Sequence, residues 1–183
     1  MEKKLNIGSG TDIKPKIEGW DNLDICPLPG VDIVLDLNSS NWPIADNTYD
    51  YIECKMVLEH LNDWLKSIEE IWRIAKPGAK LIVHVPPFAS MYAAIDPTHK
   101  SFFTYHTFEY LEPGHHFEYY SKAKFNILKR YIRYSWNSFR NFLPALIFNA
   151  IPTFYSRYLC FIFPSNSLEF ELEVVKPGEK KDG

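Results

Sequence analysis

A nearly unbroken apolar run, Leu81–Val85 (LIVHV), set between a Lys76-Pro77-Gly78 break and Pro86-Pro87, constrains this chain more than any other segment. A strand that is apolar at both parities must be covered on both faces, the position of a central strand in a parallel sheet. It follows an amphipathic segment in which Leu61, Leu65, Ile68, Trp72 and Ala75 recur at helical spacing. Asn62 and Asp63 can cap the start of that helix, and the basic last turn, proline and glycine of Lys76-Pro77-Gly78 stop it.

Upstream, Lys4–Ile7, Trp20–Ile25 and Val31–Leu37 read as short strands, each bounded by Gly, Pro or Asn, and Tyr49–Glu53 reads as a fourth. Strands alternating with a helix predict an α/β sandwich, Rossmann-like and three-layered, on a mostly parallel sheet. Downstream, Phe125–Tyr134 reads as a further strand. Leu168–Val175 (LEFELEVV) alternates apolar and acidic residues, as an antiparallel strand at the end of the sheet does.

The 183 residues suit one domain, divided by composition. Residues 1–110 form a core, 111–167 a basic, aromatic cap or insertion, and 168–175 the final strand. Twenty of the 29 aromatic residues lie between Ser101 and Phe163, and Tyr119 to Leu168 carries seven cations and no acid. Within the cap, apolar residues from Phe139 to Ile162 follow a helical stripe that Pro144 and Pro152 should kink or divide. The stripe suits packing on its own domain, a homodimer contact or peripheral contact with a membrane surface. Its uncharged stretch of 16 residues between Arg140 and Arg157 is short for a membrane span of about 20.

The net charge of −3 gives no global reason to bind nucleic acid, and none is expected. Cys26, Cys54 and Cys160 form no CxxC pair, and the N-terminus has no apolar signal run, so a reducing cytoplasmic setting is expected. His99, His106, His115 and His116 show no recognised ligand spacing, and no metal site is expected from them.

The chemistry concentrates at strand ends. LNIGSG (Leu5–Gly10) runs a strand into Gly8-Ser9-Gly10, where backbone amides can approach a ligand without obstruction. The next strand ends at Asp24-Ile25, an acid placed to accept from a ribose diol, and the third at Asp36-Leu37, a carboxylate beside an apolar contact. Successive strand ends of an open α/β sheet face one crevice. These segments, with VLEHL (Val57–Leu61), KPGAKLIVHVPP and DPTHKSFFT (Asp96–Thr104), resemble the class I S-adenosylmethionine (SAM) dependent methyltransferases, especially the small bacterial type-11-like group.

The resemblance covers roughly residues 3 to 110 and implies SAM as cofactor. It implies that Asn6, Gly8, Ser9 and Gly10 surround its methionine end, that Asp24 and Ile25 hold the ribose and that Asp36 and Leu37 face the adenine. The strand end Glu53–Lys55 would lie along the cofactor. Asn6 stands where the family usually has an acid, and Thr11 where many members have a third glycine. Only 13 residues separate Gly10 from Asp24, so the family's usual helix between the first two strands is trimmed or absent. His60 and His99 are candidate bases for an acceptor proton, with a structural or capping role as the alternative; Asp96 and Tyr105 are candidate substrate contacts. The expected activity is methyl transfer, O-methylation foremost, to a small or lipid-linked, anionic acceptor. The rival is a non-catalytic module of the same fold that binds a membrane or protein through its cap.

Overall fold

The computed structural model describes residues 2–134 and 142–177. The early runs become β1 (Lys4–Ile7), β2 (Trp20–Asp24), β3 (Ile33–Val34) and β4 (Tyr49–Lys55), followed by α1 (Trp64–Ile74) and β5 (Ala75–Val85). Then come a long stretch of turns, β6 (Lys124–Arg133), α2 (Phe142–Ala150), α3 (Pro152–Phe154) with a π turn at Tyr155–Leu159, and β7 (Ser167–Val175). One sheet holds all seven strands in the order β3-β2-β1-β4-β5-β7-β6, with β7 antiparallel to both neighbours.

Register decides which side chains share a face. Leu5, Ile52, Leu81 and Leu172 stand abreast, as do Ile7, Cys54, Val83 and Phe170. This apolar face packs on Ile68, Ile71 and Ile74 of α1 and on Phe103, Phe108 and Leu111 from the turns after β5. The Asp63 carboxylate accepts from Lys66 N to cap α1, and the helix stops at Ile74, where Ala75 turns to extended backbone.

The opposite face carries the polar alternates. Glu171 pairs with Lys80 on β5 and Lys129 on β6, and Glu169 with His84 and Arg133. Between β1 and β2, where a crossover helix would cover that face, the chain makes only the single turn Lys16–Glu18.

Three expectations are corrected. The final strand is not at the end of the sheet. Its apolar parity (Leu168, Phe170, Leu172, Val174) and its glutamates find matching partners on both sides, so β7 enters between β5 and β6 and leaves β6 as the edge. The third strand shrinks to Ile33–Val34, because the Asp32 carboxylate is drawn to Asn22 N and Lys16 Nζ and Asp36 closes a turn on Asn38. The helical stripe divides at Pro152 as expected, whereas Pro144, expected to break it too, sits in the first turn of α2. Phe139 of that stripe lies outside the described residues, as does the Phe142 side chain. Asn149 seals the β6 edge, exchanging side-chain hydrogen bonds of 2.8 and 2.9 Å with Ile132 N and O. Phe148, Tyr155 and Cys160 turn inward; Leu143, Leu146 and Tyr158 are each 60% exposed.

Candidate functional site

The parallel strands end along one edge, and the turns that follow them build a cleft. Gly8 (φ +66°) and Gly10 (φ +49°) take left-handed backbone that favours glycine. A Cβ on Gly8 would lie 2.2 Å from Val57 Cγ2, so the turn after β1 and the segment after β4 meet only because residue 8 has no side chain. At Gly10 nothing lies within 4 Å of where a Cβ would stand.

Asp24 ties two turns together, accepting from Gly10 N at 2.8 Å and Cys26 N at 2.9 Å. Asp36 accepts from Asn38 N at 2.9 Å, and Asn38 in turn accepts from Asn62 N at the approach to α1. Together these turns enclose a cleft of about 540 Å³ lined by Gly8, Leu23, Asp24, Ile25, Leu35–Asn38, Met56, Val57, His60, Leu61 and Thr98.

Strand parity sorts the remaining expected residues. Glu53 and Lys55 point to the polar face of the sheet, paired with each other and with Lys14 beside Glu53, and do not line the cleft. The chain instead enters it one step later, at Met56, whose φ of +53° is strained for a non-glycine residue. Asn6 is buried, donating to Asp12 O and Asn22 Oδ1, and braces the glycine turn from beneath. Ser9 is buried, and among the described residues its hydroxyl has no hydrogen-bond partner.

At one end of the cleft stands a cluster only partly visible in the sequence. His60 Nδ1 lies 2.8 Å from Thr98 Oγ1, which donates to Asp96 Oδ1 at 2.7 Å. His99 Nδ1 lies 3.2 Å from Ala93 O, and the two imidazoles meet edge to face at 4.6 Å. Burial lowers the His60 pKa, with His99 as a further cause, while the Thr98 backbone and hydroxyl hold Asp96 below its ordinary value. Close to both rings lies Glu59, buried and, among the described residues, without a side-chain hydrogen-bond partner, its carboxyl pushed up to about 7 by burial. Tyr105 lies elsewhere, under the Arg130 guanidinium at 4.6 Å, in a second cavity of about 370 Å³ bounded by Pro87–Ala89, Tyr155, Arg157 and Cys160.

Met56, Glu59 and Thr98 were not singled out by sequence reasoning. Glu59 and Thr98 lie within the VLEHL and DPTHKSFFT segments, but no local pattern joins segments 38 residues apart; Met56 carries no signal at all.

The strand order, with the glycine turn after β1 and the acids closing β2 and the β3 segment, gives a fold that this chain shares with solved SAM-dependent methyltransferases. Residues 9–83, under half of the chain, match the family Methyltransf_11, described as "Methyltransferase domain". Among curated relatives, a demethylmenaquinone methyltransferase of Geobacillus sp. is 36% identical over 45 residues, which is 25% of this chain and 19% of the relative. An uncharacterised protein of Methanocaldococcus jannaschii is 50% identical over 48 residues, 26% of this chain and 21% of the relative. The match thus covers about a fifth of the length of these relatives. An S-adenosylmethionine dependent methyltransferase from Mesorhizobium loti shares the fold, with a TM-score of 0.60 at 11% identity, covering 94% of this chain and 90% of that one.

The solved structures of this fold are described as SAM dependent, and the cleft has the features that a SAM molecule needs. Asp24 has accepted two amides, and a carboxylate offers about four acceptor sites, leaving capacity for a ribose diol. Leu35, Leu37 and Ile25 supply apolar walls, and the backbone at Gly10 is unobstructed. Among the described residues no helix is long and apolar enough to cross a membrane.

Proposed function

We propose that this chain transfers the methyl group of SAM to an oxygen of a small or lipid-linked acceptor. The observation that carries the reading is the cleft at the ends of β1, β2 and β4, where Gly8 is held flush against Val57 and Asp24 closes the turn that would receive the cofactor. Bound SAM supplies an electrophilic methyl group on a sulfonium, so the protein's task is alignment and exclusion of water. Ser9, Gly10, Asp24 and Asp36 would hold the cofactor. The Glu59–His60–His99 cluster borders the cleft, and its imidazoles are the groups able to take or hold the acceptor's hydroxyl proton.

The acceptor class is read from the second cavity. Its lining of Phe88, Ala89, Tyr105, Tyr155 and Cys160 is apolar and aromatic, with Arg157 at the rim as a cation for an anionic group. The exposed Leu143, Leu146, Phe154, Tyr158 and Phe161 beside it, in a stretch without acids, favour peripheral contact with an anionic lipid surface over a buried packing role. Calorimetric titration with S-adenosylhomocysteine (SAH), with NADH as control, tests the reading. One-to-one binding of SAH alone is expected; no SAH binding removes the transferase function and leaves the cap as the active part of the molecule.

A further inference from the structure

Glu59 is 1% exposed, and among the described residues neither carboxylate oxygen has a hydrogen-bond partner. A carboxylate in that state is costly unless something pairs with it. The nearby groups suited to do so are imidazoles: Glu59, His60 and His99 present ligand atoms that all lie within 4.8 Å of one another.

Hydrogen bonding fixes the tautomer of both rings. The Ala93 carbonyl can only accept, so His99 Nδ1 carries the proton and donates to it. Thr98 spends its hydroxyl proton on Asp96, so its oxygen accepts from His60 Nδ1–H. Each ring therefore keeps the Nε2 lone pair free. Metal-binding histidines are held in this way, the non-ligating nitrogen donating to a carbonyl or to a group backed by a carboxylate.

We propose that Glu59, His60 and His99 form a binding site for a first-row divalent transition cation of the zinc class. Two imidazoles and a carboxylate suit such an ion; magnesium and calcium prefer all-oxygen shells, and no thiolate belongs to the set. Bonds of about 2.0–2.1 Å in tetrahedral geometry put ligand atoms roughly 3.4 Å apart, so the three side chains draw in by about 1 Å on binding. Three protein ligands leave a position open, and His60 lines the cleft, which puts the site at the cleft's wall. The site goes beyond the methyl-transfer reading and exists independently of it. Where that reading holds, the open position takes the acceptor oxygen and lowers its pKa, and His60 serves as a ligand, its Nε2 lone pair no longer available as a base.

The test is calorimetric titration of chelator-stripped protein with Zn²⁺, repeated with Co²⁺ by visible absorption and with Mg²⁺ for comparison. Stoichiometric Zn²⁺ binding is expected, lost in His99→Ala and Glu59→Gln and unchanged in a His115→Ala/His116→Ala variant. Thr98→Val, an exposed change that keeps all three ligands, should weaken it about 10- to 100-fold. Absence of stoichiometric binding, equal affinity in wild type and His99→Ala, dependence on His115 and His116, or equal affinity for Mg²⁺ would overturn the proposal. SAH titrated into the same stripped protein separates the two readings. SAH binding without a Zn²⁺ site overturns the metal site alone, and Zn²⁺ binding without SAH overturns the transferase reading alone.

Discussion

Replacing Gly8 by alanine tests whether the cofactor turn depends on contact with the segment after β4, and its cost can be worked from two observations. The first is backbone. A non-glycine residue at φ +66° occupies the left-handed region, at about 1–2 kcal/mol. The second is steric. The new Cβ would sit 2.2 Å from Val57 Cγ2, and valine is stiff at χ1, so relief requires an off-rotamer side chain or a backbone shift, costing about 1–3 kcal/mol. The sum, about 2–5 kcal/mol, is a large part of the stability of a domain that has about 5–15 in all. Urea denaturation of Gly8→Ala, Val57→Ala and the double variant separates the parts. The steric share should appear as a coupling of about 1–3 kcal/mol in the double-mutant cycle, and the backbone share should persist in the double variant. SAH affinity should fall in Gly8→Ala and partly return when Val57 is also shortened. A Gly8→Ala protein within about 0.5 kcal/mol of wild type, or a cycle without coupling, would refute the argument.

Asp24→Ala removes the acceptor for Gly10 N and Cys26 N, charge-assisted bonds worth about 1.5–3 kcal/mol each, so both stability and SAH affinity should fall, the latter at least tenfold by calorimetry. Unchanged SAH affinity would remove Asp24 from the cofactor site. Burial raises the Glu59 pKa from 4.5 to about 7, so the folded state keeps a proton that the unfolded state releases; the stabilisation is full below pH 4.5 and is lost as pH rises toward 7. At about 1.4 kcal/mol per unit, chelator-treated wild type should lose roughly 3 kcal/mol relative to Glu59→Gln between pH 4.5 and 8, read from urea midpoints; parallel pH profiles would contradict it. Leu146→Glu with Phe154→Glu changes two exposed cap residues and should abolish co-sedimentation with anionic vesicles while leaving SAH binding intact. Wild type that stays in the supernatant would end the membrane-surface reading.

The fold was legible where one periodicity ruled a segment. The runs at Lys4–Ile7, Tyr49–Glu53 and Phe125–Tyr134 and the Asp63-capped helix all appear within a residue or two, since alternation and capping are local. The glycine turn and the acids at 24 and 36 were legible for the same reason, being the residues that follow strands. The place of β7 was not legible, because a strand's neighbours depend on complementarity with residues elsewhere: Glu171 meets Lys80 from one side and Lys129 from the other. Parity likewise hid the strand-end contacts. Asn6, Glu53 and Lys55 fall on the sheet's polar face, and the cleft receives Met56 and Val57, which follow β4. The Glu59–His60–His99 cluster needed the loop carrying Asp96–Lys100 to fold back over the turn after β4, where Lys100 N and Ser101 N donate to Glu59 O.

That fold-back and the open polar face arise from the same economy of helices. With only a single turn between β1 and β2, one side of the sheet has no helical cover there, and its strands answer with Lys, Glu, Arg and His at alternate positions. Half-exposed pairs such as Lys80–Glu171 and Lys129–Glu171, with lysines 53% and 56% exposed, are screened by solvent and contribute far less than a packed helix would. What they secure is register: shifting β7 by one residue would turn Leu168, Phe170 and Leu172 into solvent and set three glutamates against Phe108 and the core. Stability is then concentrated on the apolar face, under α1 and the turns after β5, and those turns also carry His99 and Thr98. Glycine turn, histidine cluster and aromatic cavity thus stand at one edge, on the ends of the strands buried most deeply beneath that single layer.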